Sequence, residues 1–132
     1  MPMSDLYREL ILEHWRKPRH SEPLAQPTNV SEVVNESCGD SARVELVIRD
    51  GEIFEVSVQV SGCALATAAG SVVAEAIVRK PIATALALSE QSVVALMGGI
   101  TSTSSRTACL MLGTQTLQQA LETIPERQLD VS

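Results

Sequence analysis

Between Ser4 and Trp15 the apolar residues Leu6, Tyr7, Leu10, Ile11 and Trp15 recur at the spacing of one helix face. Ser4 predicts the cap of that helix, and Pro18 its end, because proline disfavours helical backbone in the residue before it. Pro18, Pro23 and Pro27 predict an extended passage over the surface, leading into a strand over Val30–Asn35. Val44, Leu46 and Ile48 then alternate with Arg43, Glu45 and Arg49, Asp50-Gly51 supplies a two-residue turn, and Phe54, Val56, Val58 and Val60 alternate back. That pattern predicts a tight antiparallel hairpin. Leu65, Ala69, Val72, Val73, Ala76 and Ile77 predict a largely buried helix from Leu65 to Arg79, stopped by Pro81. Ser89 predicts the cap of a shorter helix ending at Gly98-Gly99. The Thr/Ser cluster from Thr101 to Ser105 precedes a last helix carrying Leu110, Leu117, Leu121 and Ile124, and fraying is expected from Glu126 onward.

Strands grouped first and helices after them predict an α+β fold: a small three-stranded antiparallel sheet with helices packed on one face, and an N-terminal amphipathic helix. A chain of 132 residues suits a single domain over residues 1–132. With 45% apolar and 20% charged residues, it has the composition of a packed core and not of a disordered segment.

The formal net charge of -6 and the absence of a basic cluster argue against nucleic-acid binding, whose affinity comes from Lys and Arg on phosphates. MPMSDLYREL is not a basic flank followed by an apolar run, and no stretch reaches the roughly 18 apolar residues of a membrane span. The expected setting is cytoplasmic, with no membrane partner. Three cysteines, an odd number, point away from a disulfide framework and towards metal binding or thiol chemistry.

Pairing Arg49 with Glu52 across the turn and extending that register sets Cys38 opposite Cys63. Cross-strand neighbours lie about 4.5 to 5.5 Å apart at Cβ, close enough for two thiolates to share a metal. Asp40, two positions after Cys38, faces the same side and is a plausible hard partner for zinc or iron. Gly39 and Gly62 beside these cysteines suit a backbone that bends around an ion, and they also mark places where a bulge could shift the register. Cys63 immediately precedes a predicted helix, and Cys109 is expected in the first turn of the last one, so the helix dipoles favour anionic sulfur at both. Arg106, one turn before Cys109, is either a surface cation or a positive charge beside the thiolates. Cys109 taken alone is as readily a small buried hydrophobe as a ligand. His14 and His20 lie away from the cysteine end and are expected to be structural or solvent-facing.

These residues resemble the iron-sulfur cluster assembly family of the NifU N-terminal, IscU and SufU type. YRELILEHWRKPR from Tyr7 to Arg19 looks like that family's N-terminal helix, Cys38-Gly39-Asp40 like its CGD motif, and Gly62-Cys63-Ala64 like its GCA motif. Cys109 follows near the start of a C-terminal helix, and Arg106-x-x-Cys109, with Ala108 where IscU-like members have histidine, resembles SufU. The resemblance implies a zinc ion held by Cys38, Asp40, Cys63 and Cys109 with Arg106 as auxiliary, or alternatively iron or a transient iron-sulfur cluster. It further implies that Cys38, Cys63 or Cys109 accepts persulfide sulfur from a cysteine desulfurase, a sulfurtransferase-type role at most, with downstream iron-sulfur assembly or acceptor proteins as further partners. The rival expectation is a zinc-stabilised interaction domain that binds and modulates the desulfurase without accepting sulfur. The short span from Cys63 to Cys109 departs from SufU towards IscU, and Asn35-Glu36-Ser37 and Ala69-Gly70-Ser71-Val72 depart from the family's usual residues.

Overall fold

The alternating segments build one antiparallel sheet of order β1-β2-β3, with β1 at Asn29–Asn35, β2 at Asp40–Arg49 and β3 at Glu52–Ser61. The helices are α1 (Pro2–Arg16), α2 (Ala64–Ile77), α3 (Ile82–Leu86), α4 (Glu90–Leu96) and α5 (Ser104–Glu122). This computed structural model describes residues 2–35, 39–98 and 104–122, and only the backbone of residues 2–8 and 104–107. The expectations for Cys38, Gly99, Thr101 to Thr103, Ile124 and the segment from Glu126 lie outside the described residues, as do those for the side chains of Ser4, Leu6, Tyr7 and Arg106.

Asp50 and Gly51 adopt φ of 52° and 76°, the paired positive values of a type I′ turn, as their sequence predicts. Arg49 pairs with Glu52 and Ile48 with Ile53, but Val47 then pairs with Glu55, so a bulge intervenes. The simple register extended from the turn is therefore corrected by one residue along the rest of the hairpin. Ile53 enters the core with no exposed surface, whereas Phe54 turns outward. There the guanidinium carbons of Arg49 and Arg79 lie 4.3 and 4.0 Å from its ring centroid.

One core cluster joins Val44, Leu46, Val56 and Val58 of the sheet to Val73 and Ile77 of α2 and Leu110 and Leu117 of α5. Helix α2 packs on β3, α5 on β1 and β2, and α2 and α5 on each other. Their crossing is made by two glycines: a Cβ on Gly113 would lie 3.2 Å from the Gly70 Cα, and one on Gly70 would lie 3.0 Å from Val58 and Val60. Close backbone approach here requires the absence of side chains.

On the opposite sheet face, the proline-rich passage does more than cross the surface. The His20 carbonyl accepts from Val58 N–H at the outer edge of β3, and Leu24 N–H donates to the buried Glu45 at 2.8 Å. Burial pushes the Glu45 carboxyl upward, but the Leu24 amide and Arg43, whose Nε donates at 2.7 Å, outweigh it and hold the group below its ordinary value.

Helix α1 packs on α2, and His14 takes part in that contact. His14 is buried, its Nδ1 2.7 Å from Ser71 Oγ, and Ser71 Oγ also accepts from Arg19 N–H at 2.7 Å. Burial, with Arg19 nearby, lowers the His14 pKa; Glu75 and Glu13 oppose this weakly. Trp15, assigned above to the apolar face, is instead 48% exposed. Helix α1 also begins at Pro2, so Ser4 lies inside it and is not its cap. The short helix α3 was not anticipated: it follows the bridge between Pro81 and Glu52, and Gln118 of α5 holds its end by donating to the carbonyls of Ala85 and Leu88.

Candidate metal centre

Asp40 opens β2, Cys63 precedes α2 and Cys109 lies in α5, three elements brought to one end of the sheet by the hairpin and the α2–α5 crossing. Each of the three offers a donor atom, and those atoms all lie within 4.8 Å of one another. Among the described residues this is the one cluster that could hold a metal ion. Bonds of about 2.3 Å from sulfur and 2.0 to 2.2 Å from oxygen fit such a spacing after small side-chain adjustments.

Each donor is positioned by a local cause. Cys63 has φ -71° and ψ 166° at the N-cap, and its Sγ accepts from Ala66 N–H at 3.4 Å. A cysteine thus does the work of the usual capping oxygen, with the sulfur at the positive end of the dipole. Cys109 is in the second turn of α5, because the helix starts at Ser104. Its sulfur therefore lies beyond the first turn expected for it, and the helix dipole, whose effect falls off within that turn, does little to favour its anionic form. Gly39 has φ +77° and its N–H donates to the Asn35 carbonyl at 2.8 Å, closing the β1–β2 connection just before Asp40.

The Asp40 side chain is buried, and its Oδ2 has no hydrogen-bond partner among the described residues. An unpartnered carboxylate oxygen removed from water is costly, and a cation is the partner that relieves it best. Cys63 is exposed, Cys109 half-buried, and the two line an open cavity of about 410 Å³ with Ala64 and Leu65. The site therefore has a closed carboxylate side and an accessible thiol side. Two sulfur donors and one oxygen donor form a set suited to zinc or iron and poorly suited to magnesium or calcium.

Of the residues singled out in the sequence, Asp40, Cys63 and Cys109 are brought together, while Cys38 and the Arg106 side chain lie outside the described residues. His14 is structural, as expected, and His20 is exposed with φ 53°. The contribution of the α2–α5 glycine crossing was not recognised; the signal for it was small residues in otherwise apolar helices, at Gly70 and Gly113.

Residues 6–131 match the family model for the NifU-like N terminal domain. The chain is 34% identical over 89 residues to the zinc-dependent sulfurtransferase SufU of Bacillus subtilis, covering 67% of this chain and 59% of that protein. It is 30% identical over 122 residues to the iron-sulfur cluster assembly scaffold protein IscU of Aquifex aeolicus, covering 91% of this chain and 76% of that one. Its fold matches the N-terminal part of a nitrogen-fixing NifU-like protein from Brucella abortus with a TM-score of 0.75 and 22% identity, over 98% of this chain and 99% of that one. With the family model spanning nearly the whole chain, this protein belongs to the NifU-like N terminal domain family.

Proposed function

We propose that this chain serves iron-sulfur cluster assembly as a zinc-bearing sulfur acceptor working with a cysteine desulfurase. The observation that carries this reading is the convergence of Asp40, Cys63 and Cys109, with a buried Asp40 oxygen that lacks a partner among the described residues. Cys38, in the Cys38-Gly39-Asp40 motif that resembles the family's CGD, is the further ligand of this reading. The SufU relative, named as zinc-dependent, supports the choice of metal and the sulfur-transfer role. Bound zinc would hold its cysteines as thiolates.

The chain's own part is to present a thiolate at an open cavity. A released thiolate attacks the outer sulfur of the desulfurase persulfide; an S–S bond forms on the acceptor, the donor's S–S bond breaks, and the donor cysteine leaves as a thiolate. No oxidant or reductant is consumed. Cys63 and Cys109 face the cavity through which a donor persulfide would approach, and the Ala66 N–H holds the Cys63 sulfur in place.

A second reading, a scaffold on which a nascent cluster forms as cargo, is favoured by the short Cys63–Cys109 span and the IscU relative. Mass spectrometry after incubation with a cysteine desulfurase and cysteine separates the readings. A persulfide on one of the three cysteines, abolished by the matching serine substitution, supports sulfur acceptance. Intact desulfurase binding with no persulfide on any cysteine would replace it with the interaction-domain role, and anaerobic formation of a cluster without prior persulfide would replace it with the scaffold.

A further inference from the structure

The bulge between Val47 and Ile48 has a consequence at the far end of the hairpin. Beyond it Ser41 pairs with Ser61, so the next residue out from each strand sets Asp40 against Gly62. Without the bulge, Asp40 would face Ser61 and its side chain. A Cβ built on Gly62 would lie 2.4 Å from Asp40 Cγ, 2.6 Å from Oδ1 and 2.8 Å from Cβ. Gly62 does not have the positive φ that Gly39, Gly51 and Gly98 have, so its backbone does not require glycine. What requires glycine is the Asp40 side chain, its Cβ included.

We infer that Gly62 is a positioning residue for the metal centre: its missing side chain is the slot that lets Asp40 turn inward beside Cys63 and Cys109. This rests on the metal-centre reading given above and adds a determinant of it outside the ligand set. Rotating the Asp40 carboxyl away would relieve the contacts to Cγ and Oδ1 but not the one to Cβ, so even alanine at position 62 forces the start of β2 to move. Three requirements thereby converge: a two-residue turn and bulge that set the register, a glycine that leaves the space, and a carboxylate that fills it.

The test is a double-substitution cycle with Gly62→Ala, Asp40→Gly and the pair, measured as Zn2+ affinity by competition with a chromophoric chelator. Asp40→Gly is the right partner because Asp40 Cβ itself lies 2.8 Å from the added carbon. Gly62→Ala alone should weaken Zn2+ binding by about 10-fold or more, the scale on which supporting residues act on metal sites. In the Asp40→Gly background the same change should alter affinity less than about 2-fold. Equal losses in both backgrounds, or no loss in either, would overturn the inference. The four proteins without metal test the steric claim separately: Gly62→Ala should lower the unfolding midpoint by about 3 °C with Asp40 present and by under about 1 °C with Asp40→Gly. A wild-type chain that binds no Zn2+ but shows that thermal pattern would overturn the metal reading and leave the packing of Gly62 on Asp40 intact. The absence of the pattern would overturn the packing itself.

Discussion

The two ends of the hairpin treat their polar groups in opposite ways. At the turn end, Arg79 Nε donates to the Phe54 carbonyl at 2.8 Å, and the Arg49 and Arg79 guanidinium groups lie over the Phe54 ring. Ile53 N–H donates to the Lys80 carbonyl, and Arg79 N–H to the Ile53 carbonyl, so the strand start and the helix end close on each other. At the cysteine end, Asp40 Oδ2 is buried without a partner among the described residues, and Cys63 is open to solvent. The first end satisfies these groups within the chain, and the second leaves a buried donor that the proposed metal would satisfy. Burying a polar group without a partner is a stability cost that a chain retains where a ligand repays it.

The largest effect that tests this contrast is at Cys63. Cys63→Ser should weaken Zn2+ binding by more than about 100-fold, beyond the loss typical of residues that merely support a ligand. Its metal-free form should unfold within about 2 °C of the parent, since the serine hydroxyl can still cap α2. Chelator competition and thermal scans with and without metal read both quantities. At the complete end, Phe54→Ala should cost about 2 kcal/mol in urea unfolding by removing the ring beneath two cations, with no change in metal affinity.

Asp40→Ala should act with the opposite sign on the metal-free protein. Removing a carboxylate whose buried Oδ2 has no partner among the described residues should leave it as stable as the parent or more stable by about 1 kcal/mol, while Zn2+ affinity falls. Urea titrations of both proteins without metal check this, and a clear destabilisation would show that Asp40 is satisfied within the fold. The smallest effect concerns His14. Its pKa is lowered on folding from 6.5, so the unfolded chain binds the proton more tightly, and the stabilising contribution is complete above pH 6.5 and lost as pH falls through the folded value. His14→Gln should flatten the fall in stability below pH 6.5, as measured by urea midpoints across pH.

The hairpin, its Asp50-Gly51 turn and the helix after Cys63 were legible in the residues, because alternation and turn chemistry are local signals, whereas the meeting of Asp40 with Cys63 and Cys109 was implied by the family resemblance of their motifs. The bulge was not, since Ile53 and Phe54 are both acceptable core residues and only the three-dimensional fit against α2, α5 and Arg79 decides which one turns inward. Trp15 left the apolar face for a similar reason: Ser71, 57 residues further along the chain, supplies the polar partner that allows the neighbouring His14 to be buried instead. The early start of α5 at Ser104 put Cys109 a turn deeper than its Thr/Ser neighbours suggested. Gly62 was visible as a glycine beside a cysteine, but its dependence on Asp40 arises only from the shifted register.

The central claim is that Asp40, Cys63 and Cys109 act as one metal centre. Native mass spectrometry of anaerobically purified protein, with elemental analysis, measures this directly on the wild type and on Asp40→Ala, Cys63→Ser and Cys109→Ser. The account predicts about one zinc per wild-type chain and its loss or weakening in all three variants. A wild-type chain without metal, or variants that retain it as tightly as the parent, would contradict it.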